Sequence, residues 1–361
     1  MRILIFQDYL RCGGTERQSL FLADYFKSQG HEVRLLTIRP GGVLQREVSL
    51  RGVDCESLQV FDTKLDWLAL GLRRRVRRFA PSVILCMGRV ANAFGGYLQR
   101  HFPEVAVIGT ARTGKVLPSS NLRSFRRVRG VIVNTQWWER ELVALGVPRG
   151  RVQAIHNSCV LPQELTLGNR EAFRASLRVC SNTCVYLNVA SLRKGKRHSM
   201  LIRAVATLGK ETPWMLWIVG AGPELKACKA LAVSLGVADR VHFFGYQENP
   251  VLFYEAADVA VSTSIEDSLP NFLVESQVCG LAVVACDYRG VRESFLPGES
   301  GYLVGSDDAG SFSRHLDELS RNPALRLGLG VAAKAWAVGA FAPEVKGAAH
   351  LEFFDRIFSS S

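Results

Sequence analysis

Three carboxylates gather near residue 270. Glu266 and Asp267 are adjacent, and Glu275 follows Asp267 with seven residues between them. Pro270 is placed to open a helix and Gly280 to close it, with Leu281–Cys286 reading as a buried strand beyond. The free backbone N–H groups at such a helix start favour an anion. Carboxylates on either side can accept hydrogen bonds from the hydroxyls of a sugar or ribose. Phosphate donors flanked by hydroxyl acceptors are what a nucleotide-sugar needs. Alone, the segment would equally suit a plain αβ unit with a polar loop.

A second group carries positive charge. In Asn188-Val-Ala-Ser-Leu-Arg-Lys-Gly-Lys-Arg-His198, Arg193 and Lys196 follow a predicted strand, where open α/β sheets bind their ligands. Two cations converging on a diphosphate stabilise it as a leaving group. The alternative is a solvated basic loop, the usual meaning of such a run. Gly13 and Gly14, after the first strand, allow close backbone approach at a helix start. Gly220-Ala-Gly222-Pro resembles a dinucleotide fingerprint, but Leu225 stands where its third glycine belongs and the motif is mid-chain. No Asp-x-Asp occurs to hold a divalent cation and no Gly-x-Ser-x-Gly to supply a nucleophilic serine, so no metal and no serine hydrolase chemistry are expected, and with the dinucleotide fingerprint incomplete no cofactor is expected either.

Alternating strands and helices must position these groups. Strands are predicted at residues 3–7, 31–38, 82–87, 105–110 and 130–134, with 154–157 ending the first half. A second series covers 184–191, 214–220, 241–244, 259–262 and 281–286, then a closing helix from about 344 to 359. Residues 12–16 read as a glycine turn before a helix over 17–29, and about 160–180 as a polar, irregular linker. The expected domains are therefore 1–165, 166–342 and a crossover helix at 343–361. The 361 residues, 48% apolar and 22% charged, suit two globular domains. Nine cysteines without a Cys-x-x-Cys pair argue against a disulfide framework or zinc and suit a reducing cytosol. The start reads as a strand, not a signal peptide, and no uninterrupted apolar run approaches the roughly 18 residues of a membrane span.

Together these motifs resemble the retaining glycosyltransferases of family 4 (group 1), which have the two-domain GT-B fold. The resemblance is strongest from Asn188 to Val304. It implies an α/β protein of two facing Rossmann-like domains with a cleft between them, the last helix returning to the N-terminal domain. The N-terminal domain would bind the acceptor and the C-terminal domain a nucleoside-diphosphate sugar. Asp267, with Glu266 as the alternative, would hold the sugar ring, Glu275 the ribose, and Arg193 and Lys196 the diphosphate. Leu269, Pro270, Asn271 and Phe272 would complete the donor cradle through their backbone. Gly13, Gly14, Gly220, Gly222, Phe244 and Gly245 match other donor-side loops. The family usually has Glu where Asp267 stands and Arg where Ser191 stands. Many members also have a histidine in the loop that here carries Arg112, so Arg112 would act in its place or the site is altered. Two rivals follow: a catalytically silent nucleotide-sugar-binding subunit docked on a membrane, and a sugar-nucleotide epimerase of similar fold.

Charge separates the halves. Residues 1–165 hold 25 Lys/Arg against 13 Asp/Glu, so 25 − 13 = +12; residues 166–361 hold 20 of each. Residues 71–79 and 121–130 interleave arginines with apolar residues, and Leu72, Val76 and Phe79 recur at helical spacing. Basic amphipathic helices lie on anionic membranes, and the indoles of Trp137 and Trp138 favour a lipid interface. The alternative is a solvated face with both tryptophans in the core. A membrane-linked or glycan acceptor is preferred over nucleic acid, with the protein cytoplasmic and peripheral on the inner face of a membrane.

Overall fold

The computed structural model describes residues 1–11, 13–159, 169–209 and 211–359. Short Val-, Ile- and Leu-rich runs form strands and the amphipathic stretches between them form helices, in two compact units. One unit comprises Met1–Ser158 with Pro343–Ser361, the other Cys159–Ala342.

The first unit begins β1 (Arg2–Gln7), α1 (Gly14–Ser28), β2 (Glu32–Thr37), α2 (Gln45–Leu50), β3 (Asp54–Ser57) and α3 (Leu72–Phe79). It continues β4 (Val83–Met87), α4 (Arg89–His101), β5 (Ala106–Ala111), α5 (Ser119–Phe125), β6 (Gly130–Val133), α6 (Gln136–Ala144) and β7 (Val152–Ala154). The strands pair in parallel in the order β3-β2-β1-β4-β5-β6-β7.

The second unit runs α7 (Asn169–Ser176), β8 (Cys184–Val189), α8 (His198–Ala206), β9 (Trp214–Val219), α9 (Leu225–Ser234), β10 (Val241–Gly245) and α10 (Val251–Ala256). Then come β11 (Val259–Ser262), α11 (Asn271–Val278), β12 (Ala282–Asp287), β13 (Gly301–Gly305), α12 (Ala309–Arg321) and α13 (Pro323–Ala340). Its parallel order is β10-β9-β8-β11-β12-β13. Helices cover both faces of each sheet, so central strands such as Val83–Met87 are buried throughout.

The closing helix, α14 (Pro343–Ser359), belongs to the first unit. Phe353, Phe354 and Ile357 enter that unit's core, and the Phe354 ring lies 5.6 Å from Phe26. By length and composition the helical stretch Pro323–Ser359 could cross a membrane. It breaks at Phe341 and Ala342, however, and Leu329, Ala333 and Ala337 on its first half are buried in the second unit.

Several local expectations need correction. Residues 14–16 are not a turn but the first turn of α1, and Gly13 is its extended N-cap residue with φ −122°. Residues 169–176 are helical rather than linker; 160–168 lie outside the described residues. Arg174 explains why α7 looked polar. Its buried guanidinium donates to the carbonyls of Ala256 at 2.9 Å and Thr183 at 2.6 Å and to Asp258 at 3.1 Å, so a charge anchors the helix. The apolar side of the arginine helix is also committed: Leu72, Val76 and Phe79 pack in the core, as do Phe125 and Val128. Trp138 is buried as well, so its indole does not face lipid, and Trp137 is half-buried against the same cluster.

Candidate active site

In a doubly wound sheet, ligands bind beyond the carboxyl ends of the strands where the order reverses. In the second unit that point lies between β8 and β11, paired through Val259 with Tyr186 and Ala260 with Leu187. The loop after β8 carries Arg193 and Lys196, and the loop after β11 carries Glu266 and Asp267. Sheet order therefore joins two motifs some seventy residues apart, as the 71-residue separation of Lys196 and Asp267 records.

The two loops are stitched together. The Ile265 N–H donates to the Gly195 carbonyl at 2.9 Å, and the Thr263 hydroxyl reaches the carbonyls of Lys196 and Arg197 at 3.0 Å each. Lys196 Nζ sits 2.6 Å from both Asp267 oxygens, and Arg193 lies 3.5 Å from Glu266. A Cβ on Gly195 would collide with the Glu266 side chain, so only glycine lets that acid lie across the loop. Below them, Asn188 donates to the Val261 carbonyl at 2.7 Å, and its oxygen accepts from His198 Nε2 at 3.0 Å. Burial, with Lys196 nearby, lowers His198 to about 4, so the ring is neutral at the foot of the site.

Helix α11 supplies the rest. Pro270 is its extended N-cap residue, Asn271 its first residue, and Glu275 follows at i+4 on the same side. Leu269 and Phe272 are buried, which seats the helix start in the core. Glu275 accepts a 2.6 Å hydrogen bond from the hydroxyl of Tyr254, a buried residue on α10. Beside the site, the ends of β9 and β10 meet through a 2.7 Å bond from the Gly220 N–H to the Gly245 carbonyl. Gly220 has φ +147°, and side chains on Gly220 and Gly222 would strike the backbone of Ala190 and Leu192. Both glycines thus let the β9 loop close on the β8 loop. The Phe244 ring packs 5.7 Å from Trp217 and 4.8 Å from Phe253.

Gly13, Gly14 and Arg112 lie in the first unit. The Glu16 carboxylate folds back over Gly13, where a Cβ would collide with it. Arg112 donates to Asn157 at 2.5 Å and to His350 Nε2 at 3.0 Å, tying the end of β5 to α14. That ring acts as acceptor because Nδ1 donates to the Lys346 carbonyl at 2.7 Å. Asp8 was not anticipated. At the β1–β4 reversal its carboxylate accepts the N–H groups of Val90 at 3.0 Å and Ala91 at 2.6 Å, capping α4. Burial raises both Asp8 and Glu16 from their ordinary carboxyl values. The available signal was an acid directly after the first parallel strand. Among the described residues, no group of three or more His, Cys, Asp or Glu side chains could hold a metal ion.

Comparison with known proteins decides the family. Residues 169–336 match the family described as Glycosyl transferases group 1, and residues 12–159 match Glycosyltransferase Family 4. The chain belongs to the group 1, family 4 glycosyltransferases. This glycosyltransferase is 27% identical to the lipopolysaccharide core biosynthesis glycosyltransferase LpsE of Rhizobium meliloti, over 94% of this chain and 95% of the relative. It is 33% identical to a D-inositol 3-phosphate glycosyltransferase of Mycobacterium, but over only 54% of this chain and 45% of that protein. Its fold matches crystalline HepE of Anabaena in complex with UDP, with TM-score 0.86, 19% identity, and 98% and 100% of the two chains covered. WaaG, a glycosyltransferase involved in lipopolysaccharide biosynthesis, follows at TM-score 0.72 and 16% identity, with 95% and 98% covered. Both likenesses establish the GT-B fold of this glycosyltransferase.

Proposed function

We propose that this glycosyltransferase moves a sugar from a nucleoside-diphosphate sugar to a glycan or lipid-linked acceptor, building a cell-surface polysaccharide or glycolipid. The reading assigns transfer with retention of anomeric configuration and without a metal. It places the protein in the cytoplasm, peripheral on the inner face of a membrane. The observation that carries it is the meeting of Arg193, Lys196, Glu266, Asp267 and the start of α11 at the β8–β11 reversal. LpsE and WaaG, named for lipopolysaccharide synthesis, support the product class, and HepE with UDP supports the donor class.

Lys196 and Arg193 neutralise the diphosphate as the glycosidic bond breaks, and the α11 N-terminus adds oriented N–H dipoles. Asp267 or Glu266 orients the sugar through its hydroxyls, and Glu275 holds the ribose. Front-face transfer needs no protein nucleophile, since the acceptor hydroxyl enters on the side the diphosphate leaves and gives its proton to the departing phosphate oxygen. Positioning and leaving-group stabilisation then supply the rate. The first unit would receive the acceptor.

A silent binding subunit is the rival, favoured by Arg112 standing where the family resemblance implies a histidine and being held by Asn157 and His350. Purified protein incubated with UDP-, GDP- and ADP-sugars and lipid-linked or oligosaccharide acceptors decides between them. Acceptor-dependent release of the nucleoside diphosphate, with an α-configured product from an α-configured donor and undiminished by EDTA, supports the reading. Binding without release would favour the subunit, and an altered free nucleotide-sugar would favour an epimerase.

A further inference from the structure

The loop between β3 and α3 turns apolar side chains outward. Val60, Phe61, Trp67 and Leu70 keep 95%, 73%, 65% and 73% of their surface exposed, and Leu65 is exposed too. Single exposed apolar residues are common on soluble proteins, but a cluster along one short segment marks an interaction site. They are also not the apolar residues whose spacing suggested a lipid surface, which pack in the core.

The loop is braced so as to hold them out. Buried Gln59 donates to the carbonyls of Leu65 at 2.8 Å and Leu68 at 2.9 Å, and accepts from the Thr63 hydroxyl at 2.7 Å. The two carboxylates of the loop are neutralised from within the unit. Arg39 grips Asp62 through two bonds of 2.7 and 2.9 Å and reaches Asp66 at 2.9 Å, and Arg11 meets Asp66 at 3.3 Å. Immediately after the loop, Arg73, Arg74, Arg77 and Arg78 stand exposed on α3 while Leu72, Val76 and Phe79 face the core. Residues 60–79 carry six cations against two carboxylates, so 6 − 2 = +4.

We infer that this loop and the arginine face of α3 form one membrane-seating element. Phe61, Trp67 and their apolar neighbours enter the headgroup–acyl boundary of an anionic bilayer, and the four arginines meet its phosphates. The composition fits lipid: an indole and a phenyl ring for the interface, cations beside them, and no carboxylate left to repel an anionic surface. The inference deepens the reading of a membrane-associated glycosyltransferase and rests on it for its purpose, while its geometry lies wholly in the first unit.

Co-sedimentation of the full chain with vesicles of phosphatidylglycerol and phosphatidylethanolamine tests it. Phe61→Ser with Trp67→Ser should weaken binding about tenfold or more, by removing apolar area that the bilayer buries. Replacing Arg73, Arg74, Arg77 and Arg78 with Ser should remove the salt-sensitive part. Trp67 is the only exposed tryptophan among the described residues, so brominated acyl chains should quench wild-type emission, and less so in Trp67→Phe. Vesicle binding unchanged in the double variant, or emission untouched by brominated lipid, overturns the inference. A wild-type dimer that the double variant converts to monomer overturns it too, because the patch would then join two copies. Thermal stabilisation by nucleotide-sugars should persist in every variant. Its failure in wild type with vesicle binding intact would fault the functional reading and leave this one standing.

Discussion

The ammonium of Lys196 lies 2.6 Å from the Asp267 carboxylate, so a diphosphate bound there competes with an ion pair already made. Lys196→Ala should therefore lower kcat about a hundredfold or more, the loss of one donor from a preorganised site costing about 3 kcal/mol in the transition state. Steady-state kinetics alongside thermal melting checks this, and equal activity would demote the loop to surface. The same pair bears on which acid holds the sugar. Asp267 faces Lys196 and Glu266 faces Arg193, so Asp267→Asn is expected to be the more damaging of Asp267→Asn and Glu266→Gln in a transfer assay. A defect confined to Glu266→Gln would move the motif by one residue. Tyr254 adds a positioning effect. Tyr254→Phe removes the 2.6 Å bond that orients Glu275 and should raise the donor KM about tenfold, the loss of one hydrogen bond to a charged group, with kcat nearly kept. Equal weakening for a donor lacking the ribose hydroxyls would show that Tyr254 does not act through ribose recognition. The acids and the lysine were legible in the sequence because each stands beside a helix start or strand end that announces itself. Asp8 and Tyr254 were not, since their partners lie 82 and 21 residues away and only the fold brings them together.

Helix α14 shows how an element can be legible while its fastening is not. Leu351, Phe353, Phe354 and Ile357 marked it as a packing helix, but the link from His350 to Arg112 spans 238 residues. Burial beside Arg112 pushes His350 down to about 3. The folded protein thus keeps that ring neutral where an unfolded chain, titrating near 6.5, takes up a proton. Stability contributed by the neutral ring is complete above about 6.5 and declines as pH falls towards 3, by about 1.4 kcal/mol per unit. His198, lowered to about 4, acts in the same direction in the second unit. Melting curves from pH 7.5 to 5 should fall accordingly, and His350→Gln should flatten part of that slope; an unchanged slope would contradict the buried neutral ring. Two of the elements the sequence concealed, β3 and α7, share one cause. Strand β3, Asp-Cys-Glu-Ser, lies at a sheet edge and needs little apolar surface, and α7 is anchored by the charge of Arg174. Periodicity reports burial of apolar side chains, so elements held by polar contacts leave little trace in it.

At the scale of the whole molecule, two doubly wound units were foreseeable because strands and helices alternate from the first residue to the last helix. The charge asymmetry was equally plain, with all the excess before residue 166. Its apolar companion was misplaced. Helical spacing singled out Leu72, Val76 and Phe79, which face the core, while the exposed rings of Phe61 and Trp67 sit on a loop without periodicity. The particular sugar depends on pocket shape that no single motif encodes. The central claim is that the β8–β11 reversal binds a nucleoside-diphosphate sugar. Its most direct test is thermal unfolding of wild type and Glu275→Ala with UDP-, GDP- and ADP-sugars in turn. One class should stabilise wild type by about 2.7 kcal/mol at a concentration a hundredfold above its Kd, and do so far less in the variant. No stabilisation by any of them, or the same stabilisation in Glu275→Ala, would contradict the account.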